Sequence, residues 1–287
     1  MGTNISAEEH ILQPDYIKFF ERGILRRMIN ESAKQLGSKI EVITTASQIP
    51  ELVGQEYIKA FNQLEIENVN VIDIRNREDA SNPVYLERIR QADIVMFSGG
   101  DQLRLSSIFG GTEFLQILKR RYQNEHFIIA GTSAGAAAAS TNMIYRGQSN
   151  EALVKGEVQI TAGLGFIDSV IIDTHFVQRG RIGRLFYAVA SNPGILGIGL
   201  GEDAGLLITE GCMMEAIGSG LTIVVDGKGM SATNIYDVEM GAPVSIEGLK
   251  VHVISIFDKY DLAQHRLIMK KKTKVEEGVY LQVPDRD

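Results

Sequence analysis

The sequence predicts an α/β protein with a mostly parallel central sheet and helices on both faces. Antiparallel strands extend it in the C-terminal third, and it carries a nucleophile-elbow site. Three observations predict this. Helical and strand periods alternate over the first two-thirds of the 287 residues. The later strands of that stretch are apolar throughout, as parallel strands covered on both faces are. Beyond about residue 145, strand-like runs crowd together with glycine turns between them.

The elements follow in order. Residues 14–36 have helical spacing, with Ile17, Phe20, Ile24, Leu25, Met28 and Ile29 at three- and four-residue steps. Residues 39–45 form a β-branched strand, 51–64 a helix, 69–74 a strand, 83–91 a helix and 94–97 a buried strand. Residues 114–122 are helical, and 127–130 form a strand entering Gly131-Thr132-Ser133-Ala134-Gly135. This rhythm implies parallel strands joined by right-handed helical crossovers. Later strands are expected at 169–173, 195–200, 206–209, 213–217, 221–225 and 251–256, interrupted by a helix at 181–190. No Pro- or Ser-rich linker divides the chain, so residues 1–287 read as a single domain.

Composition narrows the function. Hydrophobic residues make up 44% and charged residues 23%, which excludes disorder for most of the length. Lys plus Arg total 29 against 36 Asp plus Glu, a formal charge of -7, so a bulk electrostatic nucleic-acid binder is not expected. The single cysteine, Cys212, excludes an intramolecular disulfide framework and any multi-cysteine metal site. No metal-ligand spacing is present, and no metal or other cofactor is expected. The N-terminus has no basic-then-apolar signal pattern, and no apolar run could span a bilayer. A soluble, cytoplasmic protein is the expectation. The tract Lys270-Lys271-Lys272 reads as a solvated tail or turn.

The chemistry centres on Ser133. It lies in G-x-S-x-G after an apolar strand and before a small-residue helix, the context of a nucleophile elbow. A tight reversal needs small neighbours two residues to either side. It lifts the hydroxyl above the carboxyl ends of the strands, where open α/β sheets place ligands. The Ala134 amide would then face a developing oxyanion, and Gly100 in Ser98-Gly99-Gly100-Asp101-Gln102 is the candidate second donor. Gln102 could orient a substrate amide.

A serine needs a base, and His is the usual one near neutral pH. Among His10, His126, His175, His252 and His265, only His175 ends an apolar strand of the central sheet. The carboxylate that orients it is Glu202, after the strand at 195–200, or Glu151, after the elbow helix; Asp173 ranks below both. Arg179, Arg181 and Arg184 follow the base closely in an acidic protein. Guanidinium forks bind carboxylates bidentately, so the cluster predicts a carboxylate-rich substrate.

Several stretches together resemble the cyanophycinases, in the peptidase family that also holds aspartyl dipeptidase (dipeptidase E). They are Val42–Ser47, Phe97–Arg104, Ala130–Ala136, Ile172–Phe176 with Arg179–Arg184, and Gly199–Asp203. The resemblance implies a serine exopeptidase that hydrolyses multi-L-arginyl-poly-L-aspartate to β-aspartyl-arginine through an acyl-enzyme. It makes Ser133 the nucleophile and His175 the base. Gln102, Thr174, Arg179, Arg181 and Arg184 become the substrate pocket, with either Glu151 or Glu202 as the acid. It also implies a homodimer. Two departures stand out. Thr174 occupies a position where the family usually has Gln, which makes a dipeptidase or isoaspartyl peptidase acting on small acidic peptides the alternative. The family's first strand, with its Gly-Gly turn, is expected to be missing ahead of the first helix, which raises a non-catalytic acidic-peptide binder as a further alternative.

Overall fold

A computed structural model describes residues 19–270. Helix α1 (Phe19–Glu31) leads to strand β1 (Ile40–Ile43), then α2 (Pro50–Asn62), β2 (Val69–Ile72), α3 (Pro83–Gln91) and β3 (Ile94–Phe97). The next elements are α4 (Gln102–Phe109), α5 (Glu113–Asn124), β4 (Ile128–Gly131) and α6 (Ala134–Ala138). The four strands pair in parallel in the order β2-β1-β3-β4, as the alternating periods predict.

Both faces of this sheet are covered. Leu25, Met28 and Ile29 of α1 and Phe61 of α2 pack against Ile40, Val42, Ile94 and Met96. On the other face, Leu86, Leu105, Phe109, Phe114 and Leu118 pack against Ile43, Ile72, Val95 and Phe97. Side chains alternate across a strand, so neighbouring residues feed opposite cores. Glu41 breaks the apolar rule at the middle of β1. It is fully buried, and Arg88 of α3 meets it with a charge-assisted hydrogen bond.

The C-terminal strands follow a different plan. β5 (Asn142–Arg146) and β6 (Gln159–Ala162) form a hairpin, followed by β7 (Val170–Thr174), α7 (Ile182–Ser191) and β8 (Leu196–Leu200). β9 (Ala204–Thr209), β10 (Met213–Gly218) and β11 (Thr222–Asp226) come next, then the two-residue strands β12 (Ala232–Thr233) and β13 (Ile246–Glu247). β14 (Lys250–Ile254), β15 (Lys259–Asp261) and β16 (Arg266–Ile268) complete the described chain. One ladder runs β14-β11-β8-β7, parallel between β7 and β8 and antiparallel beyond; a second runs β16-β15-β10-β9. Val170, Ile172, Ile198 and Val224 of the first pack with Met214, Ala216 and Tyr260 of the second. Leu185 and Val189 of α7 cover the opposite face.

The C-terminal strands form sheets of their own rather than added members of the β2-β1-β3-β4 sheet, and the other differences from expectation are local. The first helix is expected to run to residue 36 but α1 ends at Glu31, and a short 3-10 turn at Gln35–Gly37 follows. Residues 14–18 of that expectation, the position of the missing family strand, His10, Lys271 and Lys272 lie outside the described residues. Helix α4 and the β5–β6 hairpin were not expected. α4 is one short helix whose start depends on Asp101 accepting from Leu103 N at 2.8 Å. The hairpin bulges between Ile144 and Arg146, which obscures its two-residue period. Among the described residues, no helix is long and apolar enough to cross a membrane.

Candidate active site

The elbow forms because its glycines admit no alternative. A Cβ on Gly131 would lie 2.4 Å from the Gly135 carbonyl carbon, and one on Gly135 would lie 2.3 Å from the Phe97 carbonyl oxygen. β4 therefore turns directly into α6 against the end of β3. Ser133 takes φ 48° and ψ -108°, a left-handed backbone uncommon for a side-chain-bearing residue. Thr132 N–H donates to Phe97 O at 3.0 Å, and the Thr132 hydroxyl lies 2.6 Å from the Tyr57 hydroxyl.

His175 follows β7, also at positive φ (52°). Its Nε2 lies 3.0 Å from Ser133 Oγ. Its Nδ1 lies 3.8 Å from Glu202 Oε1, and the Glu202 side chain is 59% exposed. Burial pushes the His175 pKa below the ordinary imidazole value, and the Arg179 and Arg181 charges push the same way. Glu202 opposes them. The imidazole is thus neutral, with a free lone pair, at neutral pH.

The carboxylates left open by the sequence differ in their distance from the imidazole. Among the described residues, Glu202 is the one within ion-pair distance of His175. Glu151 is exposed and makes no ion pair with His175, although its loop is tied to the arginine segment by Ser149 Oγ, which donates to Arg179 O at 2.7 Å. Asp173 faces the arginines instead. Its Oδ1 accepts from Arg181 Nη1 at 3.2 Å and Arg184 Nη2 at 3.3 Å, and Arg184 Nε lies 3.2 Å from Oδ2. Asp173 is nearly inaccessible. Burial raises its pKa, and the Arg184 and Arg181 charges pull it back.

Gly100, Gln102, Ala134, Thr174, Arg179, Arg181 and Arg184 line one pocket with Ser133 and His175. They differ in what they can still bind. Arg184 is buried, and also donates to Gly147 O at 3.1 Å. Arg181 donates to Thr174 O at 2.8 Å. Gln102 Nε2 donates to Ile144 O at 2.9 Å. Arg179 is exposed and is the member best able to meet an incoming anion. Gly100 has φ +139°, and a Cβ there would lie 2.1 Å from Ala46 O, so only glycine fits at this turn. Ala134 opens α6, and its amide is one of the first-turn donors without a partner within the helix.

Sequence reasoning missed Tyr145, which lines the same pocket and donates its hydroxyl to Gln159 Oε1 at 2.7 Å. No local signal marks it, because the hairpin that carries it is itself hard to see. The other described histidines are engaged elsewhere: His126 Nε2 lies 2.8 Å from Glu31 O, His265 pairs with Asp226 at 3.0 Å, and His252 meets the Tyr260 ring. Among the described residues, no His, Cys, Asp and Glu cluster could hold a metal ion.

Residues 20–216 match the family description "Peptidase family S51". A cyanophycinase of Trichormus variabilis is 34% identical over 251 residues, covering 88% of this chain and 84% of its own length. The cyanophycinase of Geminocystis herdmanii is 33% identical, covering 79% of this chain and 84% of its own length. That of Thermosynechococcus vestitus is 34% identical, covering 83% and 74%. A solved peptidase structure from an acI-B1 actinobacterium has the same fold, with a TM-score of 0.57 at 21% identity, covering 82% of this chain and 91% of its own.

Proposed function

The chain belongs to peptidase family S51, and from that premise we propose that it is a serine-type exopeptidase that hydrolyses cyanophycin to β-aspartyl-arginine dipeptides. The observation that carries this reading is the 3.0 Å approach of Ser133 Oγ to His175 Nε2. In this reaction Ser133 Oγ attacks the scissile carbonyl, and His175 Nε2 takes the hydroxyl proton. The Gly100 and Ala134 amides receive the oxyanion. The tetrahedral intermediate collapses to an acyl-enzyme, and His175 returns the proton to the departing amine. A water, deprotonated by the same imidazole, then releases the acyl group and regenerates Ser133.

Glu202 favours the Nδ1–H tautomer and stabilises the imidazolium that forms. Arg179 recruits a substrate carboxylate, while Arg181 and Arg184, fastened to Asp173, give a fixed cationic wall. Thr174 and Gln102 complete the pocket and orient the bound chain. A homodimeric assembly and a cytoplasmic location belong to the same proposal, as does a single domain over the whole chain.

The test is incubation with insoluble cyanophycin and identification of the soluble product by mass. β-Aspartyl-arginine from the native chain and none from Ser133→Ala is the expected result. Turnover confined to α-aspartyl dipeptides would overturn the substrate assignment. Failure of a serine-directed phosphonate to label Ser133 would overturn the nucleophile.

A further inference from the structure

The acid is held far less firmly than the nucleophile. Glu202 Oε1 stands 3.8 Å from His175 Nδ1, beyond hydrogen-bond length, on an exposed side chain. Its backbone turn leaves β8 and passes through Asp203 at φ 55°. Gly220 N–H, donating to Asp203 O at 2.9 Å, ties this turn from the side of β11. From the side of the base, Gln178 reaches it: Glu202 N–H donates to Gln178 Oε1 at 3.2 Å. A backbone N–H can only donate, so the Gln178 carbonyl, not its NH₂, faces it.

Gln178 belongs to the same loop as His175. Arg179 N–H donates to His175 O at 3.0 Å and closes that loop, and Phe176 N–H donates to Leu200 O at 3.0 Å and pins it to the end of β8. The base loop and the acid turn are thus clasped by one amide side chain between them.

We propose that Gln178 is a positioning residue that, by accepting the Glu202 amide, holds the Glu202 carboxylate in register with His175 Nδ1. Gln178 acts only through Glu202, so the inference rests on the Ser133–His175–Glu202 reading above. Without the clasp, rotation about residue 202 carries the exposed carboxylate into solvent. The Nδ1–H tautomer then loses its partner, and the imidazolium loses its counter-charge.

The sign of the effect follows from Glu202 favouring the protonated form of His175. Losing that carboxylate, or letting it drift, lowers the pH midpoint of His175. The experiment is an NMR titration of the His175 ring protons in the full chain, assigned with His175→Gln. It compares Gln178→Met, Gln178→Glu, Glu202→Gln and the double variant Gln178→Met/Glu202→Gln. Gln178→Met keeps length without the acceptor, and its midpoint should fall, as in Glu202→Gln. The double variant should coincide with Glu202→Gln alone. Gln178→Glu keeps an acceptor and should stay at or above the native midpoint.

In turnover, Gln178→Met should lower kcat about three- to ten-fold with little change in KM, and Gln178→Glu should recover it. A native midpoint in Gln178→Met would overturn the proposal. So would a double variant whose shift is the sum of the two singles. The titration needs no turnover, so a chain that shows the coupling but releases no dipeptide from cyanophycin would refute the cyanophycin reading and leave the role of Gln178 intact.

Discussion

The two halves of the site are built differently. The nucleophile half is a strand, a turn and a helix within a dozen residues, closed by contacts too tight for any side chain at Gly131 or Gly135. The base-and-acid half joins the ends of β7 and β8 with loops, and its partners come from far apart in the chain. On one side of His175 the contact is 3.0 Å; on the other it is 3.8 Å to an exposed carboxylate. A buried scaffold sets a position to fractions of an ångström, because repacking it is costly. An exposed loop sets a position only as well as its few hydrogen bonds allow. The nucleophile half is therefore all-or-none, and the base-and-acid half is graded.

That contrast can be broken in four places. The largest effect is Ser133→Ala, which should lower kcat by roughly 10⁶ in a dipeptide-release assay with folding unchanged. A smaller loss from Glu202→Gln supports the graded half. We expect a fall well short of the ~10⁴ that follows neutralising a buried orienting carboxylate, because Glu202 is already half in water. A loss as great as that of Ser133→Ala would show the two halves to be equally strict.

Gly135→Ala tests the scaffold directly. Its Cβ would lie 2.3 Å from backbone, and the strain should destabilise the fold by about 1–3 kcal/mol, read as a lowered melting temperature. An unchanged melting temperature would mean the elbow yields more readily than its packing implies. The smallest effect is electrostatic. Arg179 helps push the His175 pKa down, so Arg179→Gln should raise the acid limb of the kcat/KM profile. Activity would then be lost at a higher pH than in the native chain as pH falls. The shift should shrink with added salt, since Arg179 is exposed. An acid limb that moves downward would contradict the sign.

Legibility followed the same division. The alternating periods placed β1 to β4 with α2, α3 and α5 close to their observed bounds, but not α4, and the elbow was readable from five consecutive residues. His175 stood out because it ends an apolar strand, and the fold brings its Nε2 to 3.0 Å from Ser133 Oγ. What could not be read was pairing at a distance. The sequence offered Glu151 and Glu202 equally, and it gave the arginines as one cluster of free forks. The fold instead buries Arg184 against Asp173 and leaves Arg179 exposed. Tyr145 and the clasp from Gln178 to Glu202 left no local signature at all.

The sequence by itself determined the parallel layer and the elbow that carries Ser133, because steric limits and side-chain periodicity act between near neighbours. Only the tertiary structure decided which carboxylate lies near His175, which arginines are tethered and which loops are joined. Those depend on distances between chain segments dozens of residues apart, and such distances exist only once the sheets have packed.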